Sequence, residues 1–206
     1  MNTISTKFAP MSLLVILLTL ASPAFSTDSQ APEHLKYLEQ SKKTAQAFMQ
    51  TLGGALKKQL EMGGAESAIG VCKQVAPALA SEYSRDGRTV KRVSLKARNM
   101  VQGTPDTWER SVLESFDHQQ NKPIGEMEVA QVMSDSEGRW FRFMKAIPTQ
   151  PMCLQCHGQP ADISAGVRQL LLQEYPQDKA IGYSAGQVRG AISIKYRLDD
   201  EVSVTR

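Results

Sequence analysis

Gln187-Val-Arg-Gly-Ala-Ile-Ser-Ile-Lys-Tyr196 is the stretch that decides the fold class of this 206-residue chain. Its larger apolar residues alternate with polar or small ones, as expected of an antiparallel strand with one buried face: Val188, Ile192, Ile194 and Tyr196. Two further β-rich runs, residues 127–133 and 139–147, are joined by the turn sequence Ser134-Asp-Ser-Glu-Gly138. Together these runs predict the main strands of one sheet.

Segments with helical periodicity precede these strands in the sequence and separate some of them. Apolar residues at three- and four-residue steps predict a long helix over residues 32–62 and a second over 65–83. Gly63-Gly64 is expected to end the first helix, and Pro77 to kink the second. The remaining predicted elements are a strand at residues 89–94 and helices at 106–120 and 164–175. Segregated helices and a few strands predict an α+β domain, an antiparallel sheet with helices on one side of it.

The motif Cys153-Leu-Gln-Cys-His157 indicates the chemistry. Its two thiols lie within one turn of backbone, close enough to add to both vinyl groups of one haem, and His157 then lies beneath the iron. The motif therefore predicts one covalent haem c, attached through Cys153 and Cys156 and ligated by His157. A structural disulfide between the two cysteines is the alternative.

Two other uses of a Cys-x-x-Cys pair are disfavoured. Zinc would need a second pair of ligands, whereas the remaining candidates are scattered singly along the chain: Cys72, His34 and His118. A redox dithiol usually opens a helix after a strand. Pro148, Pro151 and Pro160 bracket the motif instead, and predict a loop with a helix only beyond it.

Residues 1–26 have the pattern of a secretory signal peptide. Lys7 is the only early charge, an apolar run follows at residues 11–20, and Ala24-Phe-Ser26 offers a small-residue cleavage site. The apolar run is about half the roughly 20 residues that span a bilayer. We therefore expect a periplasmic protein, residues 27–206 forming one domain, with no stable membrane span after cleavage. The net charge of +3 does not indicate a nucleic-acid partner.

Beyond the haem motif, the chain resembles exported single-haem domains with a PAS-like core, a family long catalogued as domains of unknown function. The resemblance covers about residues 40–196 and rests on several segments besides that motif: Ile69-Gly-Val-Cys72, residues 92–99, Pro105-Asp-Thr-Trp-Glu109, and residues 175–183 leading to Arg189-Gly-Ala-Ile-Ser193. It implies a PAS-like antiparallel sheet with N-terminal helices packed on it. It also implies that His157 and Cys72 are the two axial ligands of the iron.

The residues alone leave the second ligand open. A lone Cys on an apolar helix stripe is often a small buried hydrophobe, and Met is the commoner partner of His in cytochromes c. The candidate methionines are Met127, Met133, Met144 and Met152. The family resemblance favours Cys72. Basic residues at 92, 96 and 98 are candidates to neutralise haem propionates, with an ordinary charged strand face as the alternative: Arg92, Lys96 and Arg98.

The predicted function is redox or small-molecule sensing, or electron transfer, through a His/Cys-ligated iron. A plain soluble electron carrier with Met/His ligation is the alternative. A haem enzyme is not expected, because neither His34 nor His118 lies in a setting that looks like a distal pocket. A chain of 206 residues has no room for an output module, so a sensor of this kind would act on a redox or signalling protein whose identity is unknown.

Overall fold

The computed structural model describes Met1 and residues 30–119 and 123–198. Within these residues one antiparallel sheet forms from four strands, in the order β1-β4-β3-β2. The strands are β1 (Arg88–Val93), β2 (Glu128–Asp135), β3 (Gly138–Pro148) and β4 (Val188–Leu198). The alternating stretch at residues 187–196 forms most of β4, which lies between β1 and β3 with Ile194 opposite both Val90 and Phe143. The predicted α+β class with an antiparallel sheet is confirmed.

Six α-helices occur in the described part of the chain, interspersed with the strands. They are α1 (Gln30–Gly70), α2 (Ala76–Tyr83), α3 (Met100–Gly103), α4 (Thr107–His118), α5 (Leu154–His157) and α6 (Ala165–Glu174). The predicted break at Gly63-Gly64 is a kink in α1, where Gly64 has φ 72° and leaves the helical conformation. Only glycine adopts this conformation at little steric cost.

A π-helical turn, Val71–Val75, connects α1 to α2. Pro77 lies in the first turn of α2, and its ring and missing N–H disfavour a regular helix through the preceding turn. The chain widens there instead, and the Ala76 N–H donates to the carbonyl oxygen of Val71, five residues back. The predicted irregularity at Pro77 is therefore this π-helical turn, which contains Cys72. Such turns within α-helices are frequent at functional sites.

Helices cover both faces of the sheet, so the prediction that they lie on one side is wrong. Phe48 of α1 and Leu79 of α2 pack with Phe143 on one face, and Leu113 of α4 packs with Met144 on the other. The reason is that neighbouring positions of β3 are both apolar, and successive strand residues point to opposite faces. Each face of the sheet therefore needs a helical cover. The N-terminal helices do pack on the sheet, as predicted.

The Cys-x-x-Cys-His motif is helical, which corrects the prediction of a loop. A 3₁₀ turn, Pro151–Cys153, leads directly into the single turn of α5. Pro151 is the first residue of the 3₁₀ turn, a position where a proline needs no N–H partner, so it starts the turn rather than preventing it. Beyond the motif, α6 packs its Val167 and Leu171 against Ile69 near the end of α1.

The predicted signal peptide, residues 1–26, lies outside the described residues except for Met1. Among the helices that the structure describes, none is both long enough and apolar enough to cross a bilayer.

Candidate functional site

A cavity of about 840 Å³ lies between α1, the π-helical turn, α2, the motif and the edge of the sheet formed by β1 and β4. All four predicted ligand residues line it: Cys72, Cys153, Cys156 and His157. Cys72 comes from the π-helical turn, and the other three come from the motif more than 80 positions later in the chain. Each of the three thiols is free and half-buried, so Cys153 and Cys156 do not form the alternative disulfide.

His157 is held by a hydrogen bond and a ring contact. Its Nδ1 lies 2.7 Å from the carbonyl oxygen of Ala180, and its ring meets the Tyr183 ring edge-on at 6.2 Å between centroids. A carbonyl oxygen only accepts, so Nδ1 carries the proton and Nε2 keeps a free lone pair. Burial lowers the pKa of His157 well below its ordinary value, and nearby arginines lower it further. The imidazole is therefore a neutral ligand suited to a metal ion.

Arg98 ties the motif to the segment that holds His157. Its Nε donates to Asp178 Oδ2 at 2.9 Å, and its Nη2 donates to the carbonyl oxygens of Cys156 and Ala180, at 2.5 and 3.3 Å. Asp178 Oδ1 in turn accepts from the Ala180 N–H at 2.8 Å. Because its guanidinium is committed to protein groups, Arg98 is a positioning residue. Sequence analysis did not identify Asp178 or Ala180.

The three basic residues that were predicted to neutralise haem propionates lie in different surroundings in the structure. Lys96 lies outside the cavity lining, with its Nζ 5.0 Å from the centroid of the Tyr183 ring. Arg92 of β1 lines the cavity together with Arg98. A further arginine, Arg189 of β4, also reaches the cavity, and sequence analysis did not single it out.

Gly190 explains how Arg189 reaches the site. It has φ 158°, and a Cβ on this residue would collide with the carbonyl oxygen of Val93. Only glycine permits so close an approach of β4 to β1. The Arg-Gly pair is visible in the sequence, but the approach of the two strands depends on their pairing in the sheet.

The Cys156 thiol is not an activated nucleophile. Burial raises its pKa to about 11, although Arg98 acts in the opposite direction. Reactive dithiols have a lowered thiol pKa that supplies thiolate near neutral pH. Cys156 therefore does not supply a thiolate near neutral pH.

The methionine candidates lie mostly elsewhere. Met127 and Met144 are buried in the core between the sheet and α4, and Met133 is on β2 outside the cavity lining. Met152, directly before Cys153, does line the cavity. So does Met49 of α1, which sequence analysis did not consider.

The two histidines set aside by sequence analysis do not line the cavity. His118 is exposed at the end of α4. His34 is half-buried near the start of α1, and its buried Nε2 has no hydrogen-bond partner among the described residues.

Fold and site together define an α+β domain with a Cys-x-x-Cys-His motif and a third cysteine around one internal cavity. The Tll0287-like family model matches residues 26–197, so the chain belongs to the Tll0287-like family. Among solved structures, the cyanobacterial heme-protein Tll0287 is similar, with a TM-score of 0.56 and 22% identity, covering 79% of this chain and 95% of that one. At this identity the likeness shows a shared fold. A search of curated proteins found no match. The family resemblance seen in the sequence is confirmed.

Proposed function

We propose that this chain is a periplasmic haem protein that binds one haem c covalently through Cys153 and Cys156, with His157 and Cys72 as ligands of the iron. One observation carries the proposal: these four residues, from two distant parts of the chain, line the same cavity. The family supports it, since the structurally similar cyanobacterial protein is described as a heme-protein.

The cavity fits such a group in size and chemistry. Its volume of about 840 Å³ is within the range of cofactor and ligand sites, about 300–1,000 Å³. One wall is apolar and suits the flat face of a macrocycle: Phe48, Leu52, Leu56 and Ile69. Free thiols and a neutral imidazole with an available Nε2 are the donors that a covalent c-type haem requires.

Each of the chain's own groups has a defined task. A bound haem would supply one-electron redox chemistry. The Ala180 carbonyl oxygen orients His157 and increases the basicity of its Nε2. Arg98 and Asp178 fix the segment that contains this carbonyl. Cys72 presents a thiol from the π-helical turn, on a wall that is separate in sequence from the motif.

Cys72 is favoured over Met152 because it would hold the iron from an element remote in sequence from the motif that contains His157. Met152 lies in the 3₁₀ turn that leads directly into α5 with His157, whereas Cys72 belongs to the π-helical turn, more than 80 positions earlier in the chain. A Met/His electron carrier is the second candidate function, favoured by the presence of Met152 and Met49 in the lining. Among the described lining residues His157 is the sole histidine and none is Asp or Glu, which supports a carrier or sensor rather than an acid–base enzyme.

The biological role is redox or small-molecule sensing, or electron transfer, with a protein partner of unknown identity. The test is expression with haem-attachment machinery, followed by acid-acetone extraction and by spectra of the oxidised, reduced and carbon-monoxide-treated reduced protein. Haem that stays with the polypeptide supports covalent attachment, and haem that extracts contradicts it. Carbon monoxide binding to the reduced protein favours sensing, and an inert spectrum favours electron transfer.

A further inference from the structure

The charges that line the cavity are all of one sign. Four lining residues are basic, and no Asp or Glu is found among the described residues of the lining: Lys91, Arg92, Arg98 and Arg189. Two of the four have carboxylate partners outside the cavity. Lys91 Nζ lies 2.9 Å from Glu109 Oε2, and Arg98 Nε lies 2.9 Å from Asp178 Oδ2. The other two, Arg92 and Arg189, have no carboxylate partner among the described residues.

Arg189 has only neutral partners in the described chain. Its Nη1 donates to Ser94 Oγ at 3.0 Å and to the Lys96 carbonyl oxygen at 3.4 Å, and its guanidinium lies 5.3 Å from the centroid of the Tyr183 ring. Its Nε is buried and has no hydrogen-bond partner. Burial lowers the pKa of Arg189 to about 10, and Arg98 and Arg92 contribute to the lowering.

Arg92 is on the sheet face that points towards α1 and α2, two positions after Val90 in β1. Its guanidinium has no hydrogen bond or ion pair within the described residues. Two guanidiniums in one cavity with no carboxylate between them are unfavourable, because a charge removed from water is stabilised only by a partner of opposite sign. That partner must come from a ligand with more than one negative group.

We infer that Arg189 and Arg92 bind the two propionate carboxylates of the haem, an inference that rests on the function proposed above. The arginine side chain presents a planar fork of N–H donors that matches a carboxylate. The unpartnered Nε of Arg189 is one such donor. Of the basic residues predicted from sequence for this role, Arg92 is retained. Arg98 is assigned elsewhere because its guanidinium already pairs with Asp178, and Lys96 because it lies outside the cavity lining.

The test compares four variants of the full chain, each expressed with haem-attachment machinery: Arg189→Gln, Arg92→Gln, Arg98→Gln and Arg110→Gln. Arg110 is exposed on α4 and outside the cavity lining, so its variant removes one positive charge without touching the cavity. The readout is the propionate bending band in the resonance Raman spectrum. The haem content per chain is measured separately by the pyridine haemochrome assay.

We expect the propionate band to shift to lower frequency in Arg189→Gln and Arg92→Gln, with haem still attached, and to stay unchanged in Arg110→Gln. Arg98→Gln should lower the melting temperature without moving the band. Arg189→Lys keeps the positive charge but lacks the planar fork of donors, so its propionate band should lie between those of the wild type and Arg189→Gln. It replaces Arg189→Gln in the comparison if that variant does not accumulate. The inference is overturned if the band moves in neither Arg189→Gln nor Arg92→Gln, or if it moves equally in Arg110→Gln. Absence of covalent haem from the wild-type chain overturns the proposed function itself.

Discussion

The Nδ1 atom of His157 lies 2.7 Å from the carbonyl oxygen of Ala180, and this contact joins the motif to a segment more than 20 residues later. Two backbone hydrogen bonds run alongside it, from the Tyr183 N–H to the His157 carbonyl oxygen and from the Gly182 N–H to that of Gly158. A backbone acceptor cannot be removed by changing a side chain. The orientation of the imidazole therefore depends on what holds the segment around Ala180.

Asp178→Asn should loosen that segment. The substitution leaves the Arg98 guanidinium buried without a carboxylate, and breaking a buried ion pair from one side costs about 3–5 kcal/mol. Urea denaturation should show a loss of that order. The ferric spectrum should also change, because His157 loses its support. Asp162→Asn is the matched control, since Asp162 is exposed, and equal losses in both variants would contradict the assignment.

Cys72→Ala should raise the midpoint potential of the haem-loaded protein. An anionic thiolate stabilises ferric iron, so its removal should shift the potential upward by on the order of 0.1 V and change the low-spin ferric signal in electron paramagnetic resonance. Met152→Leu is the companion variant. If Met152→Leu changes the signal and Cys72→Ala leaves it intact, the iron has Met/His ligation and Cys72 is a core residue.

Gly53 and Gly54 form a matched pair on α1, because a Cβ added at either meets no atom within 4 Å, yet only Gly53 lines the cavity. Alanine at either position should raise the free energy of unfolding of the haem-free chain by about 0.5–1 kcal/mol through helix propensity. Gly53→Phe should sharply reduce covalent haem per chain, since its ring occupies the space of the cofactor, and Gly54→Phe should not. Equal haem contents would show that the cavity is not the haem site.

Glu109→Gln should destabilise the fold. The Glu109 side chain is fully buried, its Oε1 accepts from Ser193 Oγ at 2.6 Å, and Lys91 and Arg142 pair with it. Removing its charge leaves Lys91 without a carboxylate partner, whereas Arg142 keeps Asp106, so thermal or urea unfolding should show a loss of about 1–3 kcal/mol. Glu114→Gln, on an exposed position of the same helix, should change stability by less than about 0.5 kcal/mol.

The exported protein should begin near Thr27. The apolar run at residues 11–20 is too short to span a bilayer and ends in small residues. Intact-mass measurement of the periplasmic fraction should give a chain that lacks residues 1–26 and carries the added mass of one haem. A membrane-bound product that retains Met1 would refute both cleavage and the proposed location.

Local patterns predicted the elements well. Alternation identified β4, helical periodicity identified α4, and Gly63-Gly64 marked the point where α1 is interrupted. These features depend on residues close together in the chain, where spacing and backbone preference act directly. The helical form of the motif was missed because a proline was interpreted as a loop signal, although the first position of a helical turn accepts it.

The sequence by itself determined the strands, most of the helices and the Cys-x-x-Cys-His motif, whereas the choice of Cys72 as a candidate ligand came from the family resemblance. Only the tertiary structure decided which residues share the cavity: it brings Cys72 to the motif, leaves Met127 and Met144 in the core beneath α4, and adds Arg189 through the close approach at Gly190. The physical reason is that a ligand site is defined by contacts between distant segments. Those contacts follow from strand pairing and from the burial of both faces of β3. Local periodicity in the sequence predicts neither of these features.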